Sequence, residues 1–126
     1  MHQAQIEAVL ALDQNARYDY FLRKVADFET AFGLFDREWM KIDDGFGQPC
    51  IPLWPELEFA QHYCRPQLSP DVVRPIELQE MLTEWLPQLA KNSLSVIVFP
   101  SPSQDGLVVN PEILVSDLGE ECRQYE

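Results

Sequence analysis

Apolar side chains at Tyr18, Phe21, Val25, Phe28 and Phe32 recur at steps of three and four, with Leu22 beside them, and so line one face of a helix. The spacing predicts a helix over about Asn15 to Thr30. Ile6, Val9 and Leu10, with Asp13 at the end, mark a shorter amphipathic helix before it, and Gln14 and Asn15 supply the break. The period then changes. From Gly33 to Asp43 the text GLFDREWMKID approaches alternation, with Leu34, Trp39 and Ile42 apolar, and Asp44-Gly45-Phe46-Gly47 has the chemistry of a turn. A hairpin is expected, Glu38 to Asp43 against Pro49 to Leu53. Pro49 and Pro52 remove two ladder donors, which puts that second strand at or near a sheet edge, or has it pair mainly on one side.

Pro55 suits the first position of a helix, and Glu56 and Glu58 suit the positive end of its dipole. Phe59, Ala60, Tyr63 and Cys64 form the buried side of this short helix, which ends before Pro66. Gln67 to Pro75 reads as a connection. Leu78, Met81, Leu82, Trp85 and Leu89 outline a second strong helix, with Ile76 stapled onto Met81; Trp85 and Phe21 are expected to be buried on facing helices. Pro87 should end or kink this helix and leave Gln88 to Asn92 as a separate turn. The apolar run Leu94 to Phe99 is the pattern of a central strand covered on both faces. SPSQDG turns the chain, Leu107 to Val109 returns it, and Asn110 caps a last helix with Pro111 at its first position and Ile113, Leu114, Leu118, Cys122 and Tyr125 inward. The order is α-α-β-β-α-α-β-β-α. It predicts an α+β fold, an antiparallel or mixed sheet of about four strands in two hairpins packed against helices.

Composition narrows the picture. The 126 residues fit one domain over 1–126, with 1–14 as a loosely packed N-terminal helix. Nine basic and 21 acidic side chains leave a formal net charge of -12. That field repels phosphate backbones and anionic headgroups, so neither nucleic acid nor a membrane is expected as a partner. Arg17, Arg23 and Lys24, diluted by Asp19 and Asp27, read as a solvated helix face. The longest apolar run, Ala8 to Leu12, is far short of a membrane span, and no positive segment precedes it as in a signal peptide. Cys50, Cys64 and Cys122 are an odd number without CxxC spacing, which points to reduced thiols and a cytoplasmic address.

Several strings are unusual for their length: Arg17-Tyr18-Asp19-Tyr20-Phe21, Pro52-Leu53-Trp54-Pro55 and Trp85-Leu86-Pro87. Together with EMLTEWLPQLAKNSLSVIVFPSP and VVNPEILVSDLGEE, they resemble the small bacterial family known as domain of unknown function 2750, over about Arg17 to Glu121. The resemblance implies a compact bacterial cytosolic domain and no particular activity. Two positions depart from the family pattern. Phe32 stands where tryptophan is expected before the Gly-Leu pair, and Glu77 stands where a hydroxyl helix cap is usual.

No catalytic constellation emerges. His62 and Cys64, with Cys50 or Asp44, have the ligand types of a zinc site, but an HxC pair on a helix points its side chains about 200° apart. No metal and no cofactor is therefore expected. A Cys-His nucleophile pair lacks an orienting third group, and Ser101 and Ser103 lie outside any GxSxG string. Asp43 and Asp44, near Asp36 and Glu38, read as turn formers rather than a cation loop, and Gly45 and Gly47 as turn glycines rather than a phosphate cradle.

The aromatic residues carry the remaining signal. Trp54 sits between two prolines at a strand-to-helix corner, either as a plug under the helix or as a rigid contact anchor. Beside it, Pro55 leads into Glu56 and Glu58, an acidic rim. Tyr20 lies off the Phe21 stripe and Arg17 next to it. The binding site expected from sequence is thus Trp54, Pro55, Glu56 and Glu58, joined by Arg17 and Tyr20 if the long helix crosses that corner. Three function classes follow: a non-enzymatic interaction module of adaptor or immunity type that offers an acidic face to a basic protein, then a small-ligand-binding domain, then a hydrolase.

Overall fold

A computed structural model of the chain describes residues 2–64 and 68–124. The fold is α+β. Helix α1 covers Gln3–Leu10 and α2 covers Gln14–Phe28. The break falls at 11–13, one turn earlier than expected, because the Asp13 side chain accepts the N–H of Ala16 at 2.8 Å and starts α2. Glu29 adopts a left-handed conformation, φ 57°, and stops the helix before Thr30. No residue of α1 is fully buried, although Ile6, Val9 and Leu10 rest against the core.

After Glu29 the chain becomes strand β1, Thr30–Asp36. Phe32 therefore belongs to a strand rather than to the helix stripe. Short strands β2, Glu38–Trp39, and β3, Ile42–Asp43, precede β4, Pro49–Leu53. The expected hairpin is split between two sheets. Only Ile42 and Asp43 pair with Cys50 and Pro49, while Trp39 and Glu38 fold back onto Phe35 and Asp36 of β1.

Helix α3 covers Leu57–Cys64, and a short 3-10 turn, Pro70–Val72, leads into β5, Val73–Glu77. This strand was hidden in the sequence by Pro75, and it pairs antiparallel with β1 from Thr30↔Glu77 to Leu34↔Val73. Pro66 and Tyr125, the expected helix stop and inner-face residue, lie outside the described residues.

Leu78–Glu80 (α4), a π-helical stretch Met81–Trp85 and Leu86–Lys91 (α5) run on without a break. Pro87 neither ends this helix nor detaches its last turn. The widened turn lets the Leu86 N–H reach back five residues to the Met81 carbonyl, which gives the proline ring room and absorbs its missing donor. At the helix start the Glu77 carboxylate accepts from Gln79 N–H at 2.8 Å and Glu80 N–H at 3.1 Å, so a carboxylate replaces the hydroxyl cap. Strand β6, Ser95–Val98, β7, Leu107–Val109, and α6, Pro111–Arg123, complete the described fold. Asn110 caps α6 through Glu112 N–H at 2.8 Å. Ile113, expected inward, is exposed, while Leu114 and Leu118 are buried.

The described residues thus contain seven strands rather than about four, in a three-stranded sheet β2-β1-β5 and a four-stranded sheet β3-β4-β6-β7. Strand β4 is interior, which overturns its placement at an edge, but it pairs mainly on one side as the alternative had it: in parallel with β6 from Cys50↔Ser95 to Leu53↔Val98, and with β3 only at Pro49 and Cys50. The prolines are tolerated by alternation. Leu53 directs its carbonyl to Phe99 N–H on the β6 side, and Trp54 exchanges two 2.9 Å backbone bonds with Phe32 on the other. Pro52, two residues before Trp54, faces that second side between the end of β3 and the Phe32 bridge, where no donor is required. The Phe32–Trp54 bridge joins the two sheets.

One hydrophobic cluster fills the space between sheets and helices, with Phe21, Leu53, Trp54, Phe59, Phe99, Leu114 and Leu118 all buried. Each such side chain contributes about 1.5–3 kcal/mol through area removed from water. Trp85 is only partly buried and packs edge-to-face on Trp39, with ring centroids 5.5 Å apart.

Candidate functional site

The start of α3 lies between two grooves. The first, about 480 Å³, is walled by Gln5, Ala8 and Val9 of α1, Tyr20 and Lys24 of α2, and Glu56 and Glu58. The second, about 320 Å³, is walled by Phe28, Thr30, Phe32, Pro55 and Leu57, and again by Glu56 and Glu58. The two glutamates form a ridge common to both. Phe28 is 59% exposed and Leu57 40%, so the second groove has an apolar rim open to water. Phe28 was expected on the buried stripe of α2; the helix ends at this residue, and its side chain projects past the core.

Tyr20 reaches across the first groove and donates its hydroxyl to Glu56 Oε1. Its ring is anchored below by Phe59, edge-on at 6.0 Å, and by Phe99 at 6.1 Å. Burial, then the bond to Glu56 and that carboxylate's charge, push the phenol well above its ordinary range. Above the ring stands Lys24, whose ammonium lies 5.5 Å from the Tyr20 centroid and 5.6 Å from that of Phe28. Positions 20, 24 and 28 are one helical turn apart and share an edge of α2, a spacing visible in the sequence.

Of the six residues expected at the site, Tyr20, Pro55, Glu56 and Glu58 line these grooves. Trp54 does not. It is 0% exposed, with its indole N–H on the Pro100 carbonyl at 2.8 Å and its ring 5.1 Å from that of Tyr63, and is a corner plug rather than a contact anchor. Arg17 is likewise interior, at 1% exposure, and is no part of a solvated helix face. Its guanidinium donates to the carbonyls of Phe99, Leu12 and Asp105 and to the Gln104 side chain, fastening the loop after β6 to the start of α2. Lys24, Phe28 and Leu57 are among the groove residues that the sequence reading did not place at the site.

Elsewhere, the turn acids and Ser101 that the sequence singled out have structural partners. Asp43 and Asp44 accept turn N–H groups of Gly45, Phe46 and Gln48. Ser101 accepts the Gln104 N–H at 3.0 Å. Cys50 and Cys64 are 0% exposed, and burial raises both thiols, Cys50 to about 11 with added repulsion from Asp44 and Asp43. Neither is placed to attack a substrate in solvent. Among the described residues no group of three or more His, Cys, Asp or Glu is arranged to hold a metal ion, and no helix is long and apolar enough to cross a membrane.

No curated protein and no solved structure matches the chain. The strings Tyr18-Asp19-Tyr20-Phe21, Pro52-Leu53-Trp54-Pro55 and Trp85-Leu86-Pro87 all fall within the match of one family model, which spans residues 18–118 and so includes every groove residue but those of α1. The chain belongs to the family described as protein of unknown function (DUF2750).

Proposed function

We propose that this protein is a non-enzymatic interaction module that takes a basic segment of a partner protein along the Glu56–Glu58 ridge. The observation that carries the reading is the sharing of both glutamates by two grooves, one polar and one rimmed by exposed Phe28 and Leu57. A partner with alternating basic and apolar side chains would satisfy both: its cations meet carboxylates while its apolar groups cover Phe28 and Leu57. The net charge of -12 steers such partners in and keeps phosphate backbones and anionic membranes away. Three cysteines without CxxC spacing and the bacterial family resemblance accord with action in a bacterial cytoplasm.

The test is site-specific photo-crosslinking in cells of the source organism, with benzoylphenylalanine at Leu57 or, as a control outside both grooves, at exposed Ile113. Adducts to a basic protein at Leu57, lost on adding Glu58→Lys, are the expected result. Equal adducts at both positions would sink the reading. A second reading, a small-ligand site, draws on the 480 Å³ volume of the first groove, a size that suits a metabolite. A metabolite that raises the melting temperature of the wild type but not of Glu56→Gln would favour it.

A further inference from the structure

We infer that Tyr20, Phe28 and Glu56 form a cation site for an arginine or lysine side chain of the partner, and that Lys24 occupies its aromatic part in the free protein as an internal stand-in. The inference rests on the interaction reading above and names the chemistry of its central contact. Two ring faces one helical turn either side of Lys24 hold its ammonium at 5.5 and 5.6 Å, within the range where a ring quadrupole attracts a cation. The Tyr20 ring is fixed from below by Phe59 and at its hydroxyl by Glu56, so the aromatic wall and the carboxylate are built before any partner arrives. Lys24 lines the polar groove and Phe28 the apolar one, which puts the ammonium where the two grooves meet.

A lysine is suited to this role and to leaving it. Its charge rides on a flexible four-carbon stem, so it can swing into solvent without moving the helix. An incoming guanidinium is planar, stacks on aromatic faces and bonds carboxylates through two N–H groups, so it outcompetes the ammonium at the same place. Self-occupancy weakens the hold on isolated cations. Segments that also cover Leu57 and Phe28 gain enough to displace Lys24, which makes the lysine a filter for basic segments with apolar neighbours.

The probe is a fluorescein-labelled octapeptide of alternating arginine and leucine, followed by anisotropy. Lys24→Met keeps the stem and removes the charge, and should tighten binding about threefold, the factor expected from one exposed cation–π contact. Lys41→Met, just before β3, makes the same change in net charge and should leave affinity unchanged. Equal tightening by both variants would reduce the effect to bulk charge and overturn the inference, as would weaker binding by a Lys24→Met protein that melts like the wild type. In the wild type, the Lys24 ε-methylene proton resonances should be shifted upfield by the two rings and return to ordinary lysine positions when peptide saturates the protein. Resonances that stay shifted in the bound state overturn it independently of any variant. If the peptide binds the wild type and Leu57→Ser weakens it while Lys24→Met changes nothing, only the stand-in falls; if neither wild type nor Lys24→Met binds the peptide, the interaction reading falls with it.

Discussion

The Nε–H of Arg17 donates to the carbonyl of Phe99 at 3.2 Å, across 82 positions of sequence, and ties the first turn of α2 to the end of the central strand. Phe99 has a left-handed backbone, φ 60°, which a non-glycine residue adopts only when its surroundings hold it there. The same guanidinium holds the carbonyls of Leu12 and Asp105, and Gln14 adds a second clasp on Asp105 and Gly106. A buried charge is thus satisfied by backbone dipoles. Arg17→Ala should cost about 3 kcal/mol or more in urea unfolding, because it strands buried carbonyls as well as removing charged hydrogen bonds. A loss under about 1 kcal/mol would show that water takes over the loop.

Trp54 and Trp85 should respond in the opposite order from that suggested by their helix and corner positions. Trp54 is wholly enclosed and bonded to Pro100, whereas Trp85 is partly exposed and its buried Nε1 has no acceptor among the described residues. Trp54→Ala should destabilise by about 4 kcal/mol, and Trp85→Ala by clearly less. Trp54→Phe, which keeps most of the burial, isolates the hydrogen bond at about 1 kcal/mol. Thermal melts of the three variants check the order.

Two glycines predict opposite signs. A Cβ on Gly106 would stand 2.4 Å from the Val98 carbonyl oxygen and 2.8 Å from the Pro100 nitrogen, backbone atoms that have no rotamer to change. Gly106→Ala should destabilise by about 2 kcal/mol or more, in the manner of other overpacked interiors. On α6 a Cβ at Gly119 meets nothing within 4 Å, so Gly119→Ala should stabilise by about 0.5–1 kcal/mol through helix propensity. Denaturant midpoints of the pair decide both.

Alkaline pH should unfold this protein through its buried acids. Burial raises the Cys50 thiol to about 11, against about 8.5 in an unfolded chain. The folded state therefore keeps its proton after the unfolded state has lost it. Stability from this group is complete below about pH 8.5 and is lost as pH rises towards 11. Tyr18, held by Asp117, and Tyr20, held by Glu56, are raised in the same direction by burial and extend the loss to higher pH. Urea unfolding from pH 7 to 10.5 should show a falling free energy, with a shallower slope for Cys50→Ala between pH 8.5 and 10.5. An unchanged slope in that variant would assign the loss to Cys64 and the tyrosines.

The elements legible in the sequence were those made by neighbours along the chain. The stripe through Phe21 and Val25, the Asn110-Pro111 start of α6 and the apolar run of β6 each depend on contacts within a few residues, so period and capping chemistry reveal them. Of the groove residues, Glu56 and Glu58 were legible as acids near a helix start and Tyr20 as an off-stripe aromatic, while Pro55 precedes α3, which begins at Leu57, instead of occupying its first position. Partner choice between distant strands was not legible. Strand β4 looked like an edge because Pro49 and Pro52 lack donors; the tertiary structure shows that Pro52 faces away from β6 and that Pro49 lies one residue before the β6 register begins at Cys50. Strand β5 carries Pro75 and lacks clean alternation, and it becomes a strand because β1 supplies a complete partner. Trp54 and Arg17 could each have faced water or the interior by local pattern. Their burial was decided by Pro100, Phe99 and Asp105, residues brought to them only when the sheets close, because satisfying a buried indole or guanidinium requires acceptors from elsewhere in the fold.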